Sequence, residues 1–577
     1  MNVRTKKLLW VSITVLLGVI VLQACKKNFL DAQPYGQYGT DQISNKKGLN
    51  ALLIGVYAVL DGQGVSGDSW ETSAVNWATA GVAADDAYKG TDANDQPQMT
   101  EVEQYQSQPT NRYFYNKWLA VYEGVARAND VIRLANNPDI VLTEDEKKNI
   151  LGQARMLRGH FHFDAKRMWK NIPFITDTTT SYTNTVDVWP QIEADFQYAY
   201  DNLPETQDVS GKVNKWAAAA YLAKAYMFEA GEKNNDATLF QKAKALYDLI
   251  TVNGQTSEGI KYGLQDAYWK NFDAEFESKN PEKVFSIATA ASGNVDQSGE
   301  ASLGLAFPYG GDFGCCGFYQ PSQNLVNAYK TDATGLPLFT TFNDADLKND
   351  QGLKDADPFT NDKVTPLDPR LDWSVGRRGI PFWDWGPHPG YSWIRDQNYA
   401  GPFSPKKHVY SKKDVGVLTS SGWHNVTAKD AYLIRYADVL LMAAEAEIEV
   451  GSLDKAKDYV NQVRARAKNK ASWVEGADAN YVIGLYTSFP TQDYARTAVR
   501  FERRLELAEE GHRFFDLVRW GIAAETLNAY LAKEKTKRIY KQTASFTKGK
   551  NEYFPIPASI IDLAAKYGSK LVQNPGY

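Results

Sequence analysis

Cysteine is nearly absent, with three in 577 residues, and histidine is scarce, with six. So few thiols cannot build a disulfide framework. No His/Cys spacing of the zinc-ligand type occurs. His160 and His162 are two apart and point to different faces of any helix that holds both, which argues against a shared metal. The acid-rich stretches 92–95 (DAND) and 344–357 fail the EF-hand spacing. No metal and no other cofactor is expected. Basic residues form no block long enough to follow a phosphate backbone; 64 basic and 69 acidic residues give −5, against a nucleic-acid partner. No stretch resembles a hydrolase motif, and the helical blocks do not suggest a (β/α) barrel. Counting carboxylates among 69 acids does not by itself exclude glycosidase chemistry. The expectation is a protein without catalysis.

Long apolar runs are missing except at the start. Arg4, Lys6 and Lys7 precede Leu8–Leu22, a 15-residue run without charge. It is shorter than the roughly 20 residues a spanning helix needs, and suits the h-region of a secretory signal. It ends Leu22-Gln23-Ala24-Cys25, which resembles a bacterial lipobox; an ordinary signal peptide with an incidental cysteine is the plainer alternative. A lipidated Cys25 implies an exported protein anchored by acyl chains, each buried CH₂ contributing about 0.8 kcal/mol. Residues 1–24 hold three basic residues and no acid, which leaves −8 on the rest of a chain of net charge −5. Residues 25–44 are polar and turn-rich, a tether.

What is present is helical periodicity in two blocks. Phe114, Trp118, Tyr122, Val125 and Ile132 share one face of a helix ending before Pro138. Thr143–Glu146 reads as a capping box. It opens a helix with Ile150, Ala154, Leu157, Phe161, Ala165 and Met168 inward, stopping at Asn171-Ile172-Pro173. Further helices fit 190–203, 213–230 and 239–251, then 431–450, 453–467, 492–510 and 513–531. Leu222–Gly231 resembles Met442–Gly451, each small-residue-rich with a terminal Gly and followed by a second helix sharing Lys-Ala-Lys. Such pairs are tetratricopeptide-like. The fold class is therefore mainly α, a helical scaffold framing a large irregular region. The divisions fall at 45–251, 252–430 and 431–577, the middle one loop-rich and the place for ligand contacts.

Inside that region, residues 382–393 read FWDWGPHPGYSW. Five aromatics crowd among four Gly and Pro residues. Two roles fit. The rings could form a platform for the C–H face of a sugar, with little rotamer entropy to lose. Or they could pack a subdomain that has little regular structure to organise a core.

Several stretches together resemble the SusD/RagB family of outer-membrane nutrient-binding lipoproteins. They are Cys25–Asp31 (CKKNFLD), Ala154–Asp164 (ARMLRGHFHFD), Pro321–Tyr329 (PSQNLVNAY) and Asp368–Leu371 (DPRL). Ile434–Leu441 (IRYADVLL), Asn461–Arg466 (NQVRAR), Glu502–Glu506 (ERRLE), Gly511–Trp520 (GHRFFDLVRW) and the ending Gln573–Tyr577 (QNPGY) complete the set. The resemblance implies about four tetratricopeptide-like helix pairs. It implies an oligosaccharide ligand, or in some members a peptide, and a SusC-like TonB-dependent transporter as partner. The location implied is the outer membrane, lipid-anchored and surface-exposed.

Candidate ligand contacts follow. In the aromatic loop they are Trp383, Trp385, Tyr391 and Trp393, with Asp384, His388, Arg377, Arg378 and Arg395 as polar partners. The early segment adds Trp77, Asp85, Asp86 and Tyr88, since the resemblance implies that this loop reaches the ligand; a plain acidic turn is the alternative. Cys315-Cys316 in GGDFGCCGFYQ reads as a vicinal disulfide, favoured by export, beside Phe318 and Tyr319. Two reduced or merely structural thiols are the alternative. Arg155, Arg158, Asp164, Arg435, Glu445, Glu502, Arg503 and Asp516 fit scaffold ion pairs. Peptide capture by the same architecture, a glycan-active enzyme, and a pure protein scaffold are the rivals.

Overall fold

The computed structural model describes residues 43–62, 68–290, 302–420 and 426–577, with Asn2 and Arg4. Apart from those two, the expected signal segment lies outside the described residues, as do Cys25 and all but the last two residues of the tether. The main helices are α1 (Lys46–Tyr57), α2 (Arg112–Ala135), α3 (Glu144–Trp169), α4 (Trp189–Asn202), α5 (Lys215–Glu232) and α6 (Ala237–Asn253). After the loop-rich region come α7 (Tyr436–Val450), α8 (Leu453–Lys468), α9 (Gln492–Glu506), α10 (Arg513–Arg519) and α11 (Ala523–Lys537). Each of α2 to α6 packs on the next, α7 packs on α6, and α8 and α9 pack on α7. The helical array thus runs straight across the sequence interruption. None of these helices is long and apolar enough to cross a membrane.

Local chemistry sets the boundaries. Thr143 accepts from the Glu146 amide, and Glu146 accepts from the Thr143 amide, at 3.2 and 3.0 Å, closing the expected capping box. Gly159 lets α3 and α4 close, because a Cβ there would lie 2.8 Å from the Phe196 ring. The two similar helix pairs, α5–α6 and α7–α8, are joined by the buried Lys224–Asp438 ion pair at 2.9 Å. Gly231 serves close approach inside the last turn of α5: a Cβ would lie 2.2 Å from the Arg519 carbonyl oxygen.

Three helix expectations need correction, the first being 492–510, which ends at Glu506 with residues 507–510 in a bend and turn and Glu509 at a left-handed φ of +63°. Residues 431–435 are a strand, pairing antiparallel with Lys283–Ile287 in the register Ser286↔Tyr432 and Ile287↔Ala431. Its five residues are all buried, which suits a strand as well as a helix; the partner strand decides. The span 513–531 breaks into α10 and α11 at Gly521, whose φ of +70° ends the first helix.

A buried charge cluster locks the loop-rich region to the scaffold. Arg435 meets Glu506 at 2.6 Å and Glu510 at 2.7 Å. Arg370, from the DPRL stretch, meets Glu502 at 2.7 Å and Glu506 at 2.9 Å. Burial pushes the Glu510 carboxyl up, but the Arg435 and Lys407 charges outweigh it and hold the group at about 2. The other expected scaffold pairs form: Arg158–Asp195 and Arg503–Asp438 at 2.7 Å, Lys117–Asp164 at 2.9 Å, and Arg519 with both Glu445 and Asp516. Arg155 is the exception; its guanidinium stacks 4.1 Å from the Tyr198 ring centroid.

Candidate functional site

The segment 379–388 folds into a tight hairpin-like loop. Gly379 donates to the His388 carbonyl at 2.8 Å and Phe382 to the Gly386 carbonyl at 2.9 Å. Trp383 takes a left-handed φ of +47°, a sparsely populated conformation for an indole residue that only the surrounding contacts can hold. The rings mostly turn inward. Phe307, Phe313, Phe382, Trp393, Val409 and Tyr410 form a separate apolar cluster, with Trp383 and Trp385 packed against it. Phe313 lies 5.0 Å from Trp393 and 4.7 Å from Trp385, centroid to centroid. The Trp383 and Trp385 N–H groups donate to the Lys406 and Tyr410 carbonyls, both at 3.0 Å.

This placement corrects half of the expected ligand contacts. Trp393 is sealed in the cluster. Trp77 is fully buried, donating to the Trp70 carbonyl at 3.0 Å. The early segment is a bolt: Asp85 pairs with Arg513 at 2.7 Å, Asp86 with Arg504 at 2.9 Å. Tyr88 and Phe318 lie in an antiparallel seam, Tyr88↔Gln320 and Gly90↔Phe318, and Tyr319 beside them is buried too. His388 is buried, accepting from the Gly390 amide at Nδ1 and bonding Ser404 Oγ through Nε2; burial drops it to about 3, so it stays neutral. Arg377 is spent on Asp372. The physical reason differs by place: where long helices are lacking, rings such as Trp393 and ion pairs are themselves the core, whereas Trp77, Tyr88, Phe318 and Tyr319 join the main core of the helical scaffold.

The remaining candidates reach solvent, except Cys316, which turns into the core. Cys315 and Cys316 form a disulfide, across a cis peptide bond; Cys315 is exposed and Cys316 buried. Tyr391 is 37% exposed, with Lys354 Nζ 3.4 Å from its ring centroid. Asp384 is exposed and accepts from the amides of Lys412 and Lys413. Arg378 is half-buried, donating to the Asp355 and Asp357 carbonyls. Arg395 is exposed and pairs with Asp92 and Asp95 at 2.8 and 2.7 Å. His160 and His162 have separate partners, Tyr221 and the Arg158 carbonyl.

A second aromatic surface was not foreseen as such. Trp269, Trp373, Trp473 and Tyr481 line a groove of about 610 Å³, with Lys470 and Glu475 also in its wall. That size suits a small-molecule ligand. Trp269 sits on the 3-10 turn Tyr268–Phe272, Trp373 on the helical turn Leu371–Ser374, and Trp473 follows the turn Lys470–Ser472 beyond α8. The Trp269 and Trp373 rings are 5.7 Å apart and 26° from parallel. Their N–H groups donate to the Ala471 and Ser472 carbonyls at 3.0 and 2.7 Å, and Trp473 donates to the Ala467 carbonyl at 3.3 Å. The Tyr481 hydroxyl donates to Asp372 at 2.6 Å. The ring orientations are thus fixed by hydrogen bonds to the protein, while all four rings stay half-buried. Trp383 touches Trp373 at 5.2 Å, so the two surfaces are continuous. Trp373 lies nine residues before the aromatic loop 382–393, whereas Trp269, between Tyr268 and Phe272, and Trp473 lie far from it in sequence.

The SusD family model matches residues 281–577, and a second model, described as "Starch-binding associating with outer membrane", matches residues 28–227. The chain belongs to the SusD family. Among SusD-like relatives, SusD-like protein P2 of Formosa agariphila is 23% identical over 80% of each chain. A SusD-like protein of Bacteroides ovatus is 26% identical over 70% of this chain and 65% of its own. Among solved structures, a SusD superfamily protein from Bacteroides vulgatus superposes with a TM-score of 0.67 at 21% identity, covering 92% of this chain and 99% of that one. Surface glycan-binding protein A from Bacteroides thetaiotaomicron, in complex with laminarihexaose, gives 0.65 at 22% identity with the same coverage. At these identities the structural likeness establishes the SusD-like helical fold.

Proposed function

We propose that this protein captures oligosaccharide at the outer-membrane surface and passes it, without catalysis, to a SusC-like TonB-dependent transporter. The observation that carries the proposal is the groove of Trp269, Trp373, Trp473 and Tyr481, whose indole orientations are set by hydrogen bonds to the backbone. A sugar offers C–H groups on one face and hydroxyls at its rim. Flat rings cover the face, and rings fixed beforehand lose little entropy on binding. Structural neighbours solved with laminarihexaose and with a xylogluco-oligosaccharide support the ligand class. The half-buried edge of Trp383, against Trp373, extends the same face. The outer-membrane location rests on the lipobox-like LQAC and a lipidated Cys25, and the delivery role on family membership.

Calorimetry with neutral oligosaccharides and with peptides tests the ligand class. Binding of sugars that is lost in the triple variant Trp269→Ala, Trp373→Ala, Trp473→Ala is expected. Binding of peptides alone would replace the sugar assignment. Release of reducing ends from polysaccharide would overturn the absence of catalysis. Loss of radiolabelled palmitate from a Cys25→Ala variant is the expected result for the anchor.

A further inference from the structure

A second cleft, of about 810 Å³, is lined by residues following α11 and by the loops at 346–351 and 396–402. Its chemistry differs from the tryptophan groove. Gln323, Asn349, Gln351 and Asn398 line it, Asn349 Nδ2 donating to Gln323 Oε1 at 2.7 Å and Gln351 Nε2 to the Gln397 carbonyl at 2.9 Å, with Tyr399 and Tyr540 stacked 4.2 Å apart at 22°. Arg538 lines it too and is only 5% exposed.

Arg538 is unlike every other buried arginine among the described residues. The nine others, Arg435 and Arg504 among them, each meet a carboxylate. Arg538 meets only neutral oxygens: the Gln397 carbonyl at 2.9 Å, and the Asn398 carbonyl and Gln351 Oε1 at 3.2 Å. Its Nε–H has no partner, and neither does the buried Nε2 of Gln397 beside it. Glu534, one turn back on α11, binds the Tyr88 hydroxyl at 2.8 Å and acts on Arg538 through its charge without an ion-pair contact. The other charges of the cleft are satisfied: Lys537 pairs with Asp346 at 2.7 Å, and Asp396 accepts from the amides of Asn398 and Tyr399. A buried guanidinium bonded only to neutral groups is expensive, and it favours an anion that completes its hydrogen bonds.

We propose that this cleft receives an acidic sugar residue, whose anionic group meets the Arg538 guanidinium at the cleft wall while the amides at the rim bond the ring hydroxyls. It rests on the glycan-binding reading above and names the class of glycan. The amide-rich wall favours a polyhydroxylated ligand over the C-terminal carboxylate of a peptide.

The test is calorimetry on the full protein with oligomers of galacturonate, of mannuronate and guluronate, and of glucuronate-bearing xylan, each beside its carboxyl-reduced form. A sulfated galactan oligomer beside its desulfated form separates sulfate from carboxylate. At least one acidic oligomer is expected to bind about tenfold tighter than its neutral counterpart, with the preference shrinking as salt rises. Arg538→Gln should abolish the preference while leaving the affinity for neutral oligosaccharides and the melting temperature in place. If Arg538→Gln does not fold, Asn349→Ala, which removes one rim amide, should weaken the acidic oligomer selectively. No acidic preference in the panel, or a preference unchanged in both variants, overturns the inference and leaves neutral glycan capture standing. Absence of any oligosaccharide binding overturns both. Arg538-dependent binding of a peptide that is lost on amidating its C-terminus would overturn the sugar assignment alone.

Discussion

Trp393 and Trp373 stand twenty residues apart in one loop-rich region, yet Trp393 is sealed among Phe313, Phe382 and His388, and Trp373 faces a groove. Hydrogen bonding does not separate the two surfaces. Trp383 and Trp385 in the first, and Trp269, Trp373 and Trp473 in the second, all donate to backbone carbonyls. The difference lies on the ring faces. In the first surface, rings from 307–313, 382–393 and 409–410 cover one another. In the second, the rings come from three distant turns and leave a space between them. Crowding of aromatics in sequence therefore points to self-packing here, and dispersal to a site.

The largest expected effect tests the sealed surface. Trp393→Ala should cost about 3–5 kcal/mol of stability, read as a lower urea midpoint, with sugar affinity of the folded fraction unchanged. A loss of affinity at unaltered stability would break the comparison.

Acid should act next, and on the same side. His388 sits at about 3 when folded, because burial disfavours its charge, against 6.5 when unfolded. The unfolded chain takes the proton first, so the contribution of this group is whole above pH 6.5 and shrinks as pH falls toward 3. His160, His162, His408 and His512 are lowered to about 3 by burial as well, so wild-type stability should drop steeply below pH 6. His388→Gln should show a shallower drop in urea midpoint between pH 7 and pH 4; a parallel curve would place the acid sensitivity elsewhere.

In the open surface the effect moves from stability to binding. Trp373→Ala should weaken oligosaccharide binding by about 2 kcal/mol, roughly thirtyfold, while the melting temperature shifts little. Equal losses in both measurements would mean that this ring is also core. The smallest effect belongs to the rim. Removing the ammonium over Tyr391 with Lys354→Ala should change affinity or stability by about 0.5–1 kcal/mol at most, and a larger change would enlarge the site to include that ring.

Helix periodicity carried the scaffold because a helix reports its own buried stripe every three to four residues. The boundaries at Thr143 and at Asn171-Ile172-Pro173 are local chemistry, and they held. Residues 431–435 were misplaced because AYLIR suits a strand or a buried helix alike, and its partner at 283–287 lies far off in sequence. The break at Gly521 was legible in principle, since a glycine between two helical stretches is a helix-ending signal. The ligand surface was legible only in part. Trp373 and Trp383 belong to a stretch dense in rings, whereas Trp269 and Trp473 are single tryptophans brought together by folding. Arg538 was invisible for a related reason: its missing carboxylate is a fact about neighbours, not about its own segment.

The sequence alone determined the family, the helical scaffold and the capping and breaking of most helices, because those depend on residues within a few positions of one another. Tertiary structure decided which aromatics face inward and which line a groove. It also decided that Asp85 and Asp86 bolt the seam, and that one buried guanidinium touches no carboxylate. Each of those depends on what another part of the chain puts against a side chain, and local spacing carries no record of it.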